Sequence, residues 1–336
     1  MTRHAGLAAL AMLGMALPAA RAREAEAPHL GTLAADVSRT VLDGRLALRV
    51  PAIAADAPGP ERNDETRIFV DAGEERLEIR ATELFALAGD DFAAAAARVV
   101  KSWGRESAAY RVAPLPLGSG LRGAEVVPAE PDRRPTGAFV RGLFVASADG
   151  SVQYLEARAN APGARDFAGA DALASNILRS VAPGARSLSR DAATSRLTTP
   201  LRAVTVFVDV PEGMGTAFQR ERDRTVHRFH APAGLGENAP SLTITFAKDA
   251  RYLHDRLSRE IRPTTREGTI FGQKVLWHAW STSRAETGKQ HLEALVTLGT
   301  PGEPLTAHVL VLHRADEGAD AMRALVESMR VERRPD

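Results

Sequence analysis

The second half of the chain collects imidazoles. Seven of the nine histidines are His227, His230, His254, His278, His291, His308 and His313. Imidazole ligates zinc and exchanges protons near neutral pH, so this concentration is the first candidate for chemistry. His227, His230 and His278 are the residues that could meet around a metal or serve as acid–base groups. If His227 and His230 share one strand, their three-residue spacing points them to opposite faces. No H-E-x-x-H pair and no acidic cluster of ligand spacing accompanies them. The chain has no G-x-S-x-G elbow. Asp90-Asp91 and Glu74-Glu75 are neighbours that read as a helix cap and a turn, whereas general acid–base work needs carboxylates converging across a cleft. The sequence contains no cysteine, which excludes disulfides, thiolate metal sites and a cysteine nucleophile. No catalytic residue, metal site or cofactor is assigned on these grounds.

Two further motifs invite a functional reading. Gly118-Ser119-Gly120-Leu121-Arg122-Gly123 spells G-x-G-x-x-G. The dinucleotide fingerprint requires a strand before it and a helix N-terminus after it, because that helix holds the pyrophosphate. Here Pro114-Leu115-Pro116-Leu117 precedes it and a strand over Ala124 to Val127 follows, so it reads as a loop entering a strand. Three tryptophans could stack a ligand. Trp103 falls on an apolar helix face and reads as core. Trp277 and Trp280 have unlike strand parity, which leaves one of them exposed, and Trp280 is the residue expected to meet a binding partner. Arg220, Arg222 and Arg224 alternate with Glu221 and Asp223 and read as a solvated segment.

The elements that would position these residues come in two series. Leu46-Ala47-Leu48-Arg49-Val50-Pro51 alternates apolar and polar and ends in Val-Pro, as does Val206-Phe207-Val208-Asp209-Val210-Pro211. Gly120 to Val127 matches Thr269 to Leu276 at an offset of 149, and Asp171-Ala172-Leu173 matches Asp320-Ala321-Met322 at the same offset. The helices these begin close on Arg179-Ser180-Val181 and Ser328-Met329-Arg330-Val331. Four matches in one order indicate a tandem duplication. Each copy reads as an opening strand, further strands (Arg67 to Asp71 and Arg76 to Ala81; Thr225 to His230 and Ser241 to Ala247), a helix, a meander and a closing helix. Asp90 or Asp91 caps the first inner helix, with Phe92, Ala95, Val99 and Trp103 on its apolar face. Asp249 caps the second, with Leu253, Leu257 and Ile261. Ala148-Asp149-Gly150 and Thr300-Pro301-Gly302 are hairpin turns. The fold class is α+β: two tandem similar domains, each an antiparallel β-sheet flanked by α-helices.

Composition sets the boundaries and the partners. Residues 1–22 read as a secretory leader: a basic start at Arg3, an apolar run from Ala5 to Leu17, and an Ala20-Arg21-Ala22 cleavage pattern. That run is too short for roughly 30 Å of hydrocarbon. Export without cysteine predicts a periplasmic protein with no stable membrane insertion after cleavage. Residues 23–38 form an N-terminal extension, 39–186 the first domain, 187–199 a polar linker, and 200–332 the second domain. Residues 28–186 carry 19 basic and 21 acidic side chains, and 187–336 carry 21 and 19, so neither half is a nucleic-acid domain.

The element order, with its Val-Pro opening and Ser-Met-Arg-Val closing, resembles the PsbP-like fold of photosystem accessory subunits and a nuclear Ran-release factor. The resemblance implies an α/β/α sandwich in each half and a binding or assembly role, not catalysis. Gly44-Arg45-Leu46-Ala47-Leu48-Arg49-Val50-Pro51 also resembles the G-R-x-x-x-D-x-P opening of two-domain periplasmic immunity proteins that neutralise type VI secretion lipases. Arg49 stands where that pattern has an acid, and the cysteine usual just before it is absent. Together these imply a non-enzymatic periplasmic protein that engages a protein partner, in an immunity or envelope accessory role. The competing expectation is a periplasmic hydrolase with a site between the domains, using His227 or His278.

Overall fold

The computed structural model describes residues 29–103, 110–129, 139–160, 164–201, 203–256, 262–281, 290–300, 302–313 and 319–333. The leader expected at residues 1–22 lies outside them. The N-terminal half contains β1 (Val37–Val41), β2 (Leu46–Val50), β3 (Ala55–Asp56), β4 (Glu61–Arg62), β5 (Glu65–Ala72) and β6 (Glu75–Leu87). Helix α1 (Phe92–Ser102) follows, then β7 (Tyr110–Pro116), β8 (Arg122–Pro128), β9 (Phe139–Ala146), β10 (Ser151–Asn160), α2 (Ala164–Arg179) and β11 (Ala182–Pro183). The C-terminal half contains β12 (Ala193–Leu197), β13 (Val204–Val210), β14 (Gly215–Arg220), β15 (Arg224–His230), β16 (Ser241–Ala247) and β17 (Thr264–Ile270). It ends with β18 (Gln273–Ser281), β19 (Gln290–Thr297), β20 (Thr306–His313), α3 (Ala319–Glu327) and β21 (Arg330–Arg333).

The two halves repeat one strand order. A seven-stranded sheet runs β3-β5-β6-β10-β9-β8-β7, and an eight-stranded sheet runs β14-β15-β16-β20-β19-β18-β17 with β4 added beyond β14. Beside them stand two three-stranded sheets, β1-β2-β11 and β12-β13-β21. Every strand pairing is antiparallel, so the architecture is richer in β-structure than the expected α+β class, with three α-helices among the described residues.

Both Val-Pro segments form the middle strand of a small sheet, β2 and β13, and the proline stops the strand where the ladder ends. The same clamp holds both. Ser180 Oγ accepts the Arg49 N–H at 2.7 Å and donates to the Ile177 carbonyl. Ser328 Oγ accepts the Asp209 N–H at 3.1 Å and donates to the Leu325 carbonyl. A hydroxyl after the closing helix thus ties that helix to the strand two residues before the proline, which gives the recurrence of Ser180 and Ser328 a physical reason.

Three expectations are corrected. The polar stretch 187–199 is not bare linker: it holds β12, paired over five residues with β13 as β1 is with β2. Its polar side chains are mostly exposed, which hid the strand from a search for apolar alternation. The offset of 149 misaligns the hairpins, because Gly120 (φ 77°) and Gly272 (φ 72°) are the two left-handed turn glycines, 152 residues apart. The helix expected from Asp249 is replaced, over the described residues, by a single 3-10 turn at His254–Arg256; Leu257 and Ile261 lie outside them.

Each large sheet buries one face against the closing helix and the small sheet. Val70, Leu77, Ile79, Leu143 and Leu155 pack under α2, and Phe229, Ile244, Phe246, Val309 and Val311 pack under α3. The outer faces differ. In the N-terminal half α1 covers Phe144, Ala124, Val126 and Tyr154, giving an apolar second core. Asp91 occupies the N-cap position of α1 but bonds Arg98 instead of the helix backbone. In the C-terminal half the strand in the same place, β19, presents His291, Glu293 and Leu295 outward.

The two large sheets are separate, and the halves meet through local contacts between them. β4 pairs with β14, Phe218 donates its N–H to Asn63 Oδ1 at 2.8 Å, and Leu87 bridges Gly234 in parallel. Beside them β6 carries an irregularity: Gln153 opposes Glu83 while Val152 opposes Ala86, so Leu84 and Phe85 are extra. The bulge turns Phe85 out toward His230 of the other half.

Candidate functional site

The three histidines that could have met around a metal do not. His227 and His230 share β15 and face opposite sides, as their spacing requires. His227 Nε2 bonds the Thr198 carbonyl at 2.9 Å beside Phe246, and burial holds its pKa below the usual imidazole value. His230 lies against Phe85, and burial lowers its pKa to about 4. His278 is on β18, separated from β15 by β19, β20 and β16, which at about 4.8 Å per strand is roughly 19 Å away. It stands on the outer face, whereas His227 stands on the inner one, so one active site cannot use both.

The sequence reading missed the centre of the histidine group, Glu293. This carboxylate is 0% exposed on β19 and collects five donors. Oε1 accepts the His254 N–H at 3.0 Å, Trp280 Nε1–H at 3.0 Å and the His254 Nδ1–H. Oε2 accepts the Leu253 N–H at 2.7 Å and His308 Nε2–H at 2.8 Å. Strand alternation explains the assembly. His291, Glu293 and Leu295 share the outer face of β19, and His278, opposite Glu293 in the register, shares it on β18 with Trp280. His308 reaches in from the outer face of β20. The turn after Tyr252 closes over them.

Burial alone would raise the Glu293 pKa; the donors outweigh it and hold the carboxyl at about 2. An ionised acceptor requires His254 to carry its proton on Nδ1 and His308 on Nε2. His278 stacks on His254 at 4.7 Å and meets Tyr252 at 4.5 Å with the rings tilted by 52°, and burial together with His254 lowers its pKa. The group is therefore a clamp. Both carboxylate oxygens are saturated, and at neutral pH Glu293 neither gives nor takes a proton. It fastens Leu253–His254 to the sheet in place of the helix that covers the first half.

Trp280 belongs to this clamp. It is 5% exposed, stacked on His291 at 3.8 Å and bonded to Glu293, so the residue expected to meet a partner is buried in this structure. Parity places Trp277 in the inner core and Trp280 on the outer face, yet both are buried. Trp103 reverses its expectation in the other direction: it caps the end of α1, 43% exposed, over Phe144 and Tyr154. The signal for Glu293 was present as one acid inside the apolar strand H-L-E-A-L-V. Its partners lie on distant segments, which no spacing rule joins.

Next to the clamp a cleft of about 480 Å³ is lined by Arg224, Thr245, Asp249, Arg251, Arg256 and His308. Among the described residues no three His, Asp or Glu side chains stand in metal-ligating geometry. No described helix is long and apolar enough to cross a membrane. The G-x-G-x-x-G segment is the β7–β8 turn and leads into β8, not a helix.

No family model and no curated protein matches the chain. Among solved structures it is similar to an apo immunity protein, TplEi, of the type VI secretion system of Pseudomonas aeruginosa, at 13% identity over 88% of this chain and 96% of that one, with a TM-score of 0.23. It is also similar to a chain of a Tle4–Tli4 complex, at 12% identity over 88% and 97%, again with a TM-score of 0.23. Both are weak structural neighbours.

Proposed function

We propose that the chain is a non-enzymatic periplasmic binding protein built from two tandem units of PsbP-like type, opening at β1 and β12, that engages a protein partner in an immunity or envelope accessory role. The observation that carries this reading is the junction. Two copies of one strand order are fixed together by β4 on β14, Leu87 on Gly234 and Phe85 on His230. Such an arrangement presents a composite surface that one unit alone lacks. The Glu293 group supports the reading from the other side, since its histidines spend their ring protons holding the fold.

The test is recovery of the tagged protein from the periplasm of its own cells. A stoichiometric protein partner is the expected result, and repeated recovery of a clean monomer overturns the proposal. The immunity role has its own arm. If a secreted lipase is encoded beside this gene, directing it to the periplasm should stop growth, and this protein should restore it.

A further inference from the structure

We infer that β17 is the partner-binding edge: an extended segment of the partner protein adds to the eight-stranded sheet there as a further strand. This rests on the protein-binding reading and names its surface. Two edge strands in equivalent places differ. In the first large sheet the edge strand β7 carries Pro114 and Pro116, which lack N–H donors. In the second sheet β17 holds the same place with the sequence Thr-Thr-Arg-Glu-Gly-Thr-Ile. It has no proline, favours β-structure through its threonines, and pairs with β18 over all seven residues. Thr264 to Glu267 and Thr269 are exposed. Alternate backbone N–H and C=O groups on its outer side therefore have no strand partner among the described residues, the template on which strand addition works.

The side chains select a heterologous strand over a second copy. Arg266 and Glu267 have no ion-pair partner among the described residues. An antiparallel self-pair covering the whole strand centres on Glu267 and sets the two carboxylates opposite each other. Moving the axis to Arg266 sets two guanidinium groups opposite each other, and like charges in that position destabilise a sheet. A partner strand with an acid facing Arg266 and a base facing Glu267 meets no such conflict. Leu276, 45% exposed and opposite Glu267 on β18, offers an apolar contact to whatever extends over the outer face.

The experiment is amide hydrogen exchange on residues 264–270 of the full chain, alone and in complex with the protein recovered from the periplasm. Strand addition predicts a pattern of period two: amides already bonded to β18 change little, and the alternate ones slow by at least about tenfold. Glu267→Arg should weaken the complex by about three- to tenfold without changing the melting of the free chain. A stoichiometric partner that leaves these amides unchanged, or slows them all alike, overturns this inference while the binding reading stands. Sedimentation showing a β17-dependent dimer of the chain alone also overturns it. Recovery of no partner overturns both.

Discussion

The ring of Phe85 lies flat on the imidazole of His230, with centroids 4.4 Å apart and planes 5° from parallel. The pair joins the two large sheets, and Phe85 reaches it from a φ of 55°, a conformation that costs a bulky L-residue of order 1–2 kcal/mol. The side chain must return more than that through stacking and burial against Leu188 and Ala217. Phe85→Ala keeps the strained backbone and loses the ring, so it should destabilise by about 3 kcal/mol. Phe85→Gly loses the same ring but releases the strain, and should be no worse than Phe85→Ala although it is smaller. Urea midpoints of the two variants decide the point; a glycine variant clearly less stable than the alanine one contradicts it.

The same pair sets a pH response. The folded pKa of His230 is about 4 against 6.5 unfolded, chiefly through burial and then through Arg228, with Asp64 opposing. Between those values the unfolded chain binds a proton that the fold refuses, so stability rises with pH across the window. The contribution is complete above pH 6.5 and is lost as pH falls toward 4, by about 3 kcal/mol in all. His230→Phe keeps the stack and removes the titration. Its stability between pH 4 and 6.5 should fall less than that of the parent in parallel denaturant titrations.

How far the sequence foretold this arrangement depends on the range of the contacts involved. Local signals held: the Ala148-Asp149-Gly150 turn joins β9 to β10, and His227 and His230 face apart on β15. The repeated strand order was legible because the Val-Pro strands and the serines after each closing helix recur for one structural reason, the Ser180–Arg49 and Ser328–Asp209 bonds. β12 escaped because its outward residues are polar and its partner β13 lies several residues on. The bulge at Phe85 escaped because nothing local marks a phenylalanine for positive φ; the docking of the other half imposes it. Glu293 escaped for a similar reason. Its donors come from residues 253, 254, 280 and 308, and only the strand order brings them together.

Removing the charge at that centre should be severe. Glu293→Gln leaves five donors facing an amide that is itself partly a donor, at a side chain with no exposed surface of its own. Loss of one partner in a buried charged network costs about 3–5 kcal/mol. The first consequence should be release of the 252–256 turn, visible as faster amide exchange at Leu253 and His254, whose N–H groups bond the carboxylate. An equally stable Glu293→Gln protein with unchanged exchange at those amides would show that the clamp does not hold the turn.

Trp280 provides the sharpest separation between a structural and a binding role. Trp280→Phe retains an aromatic ring to lie on His291 but removes the Nε1–H that Glu293 accepts at 3.0 Å. A hydrogen bond to a charged group contributes about 1.5–3 kcal/mol, and four other donors remain on the carboxylate, so a loss near the lower end, about 1.5 kcal/mol, is expected. Because Trp280 is buried against His291 and Glu293, affinity for a protein partner should be unchanged once both proteins are compared well below their melting temperatures. Denaturation and binding measured on the same preparation check both halves of the prediction. A variant of parental stability but with weakened binding would return Trp280 to the partner surface and would mean that the turn opens when the complex forms.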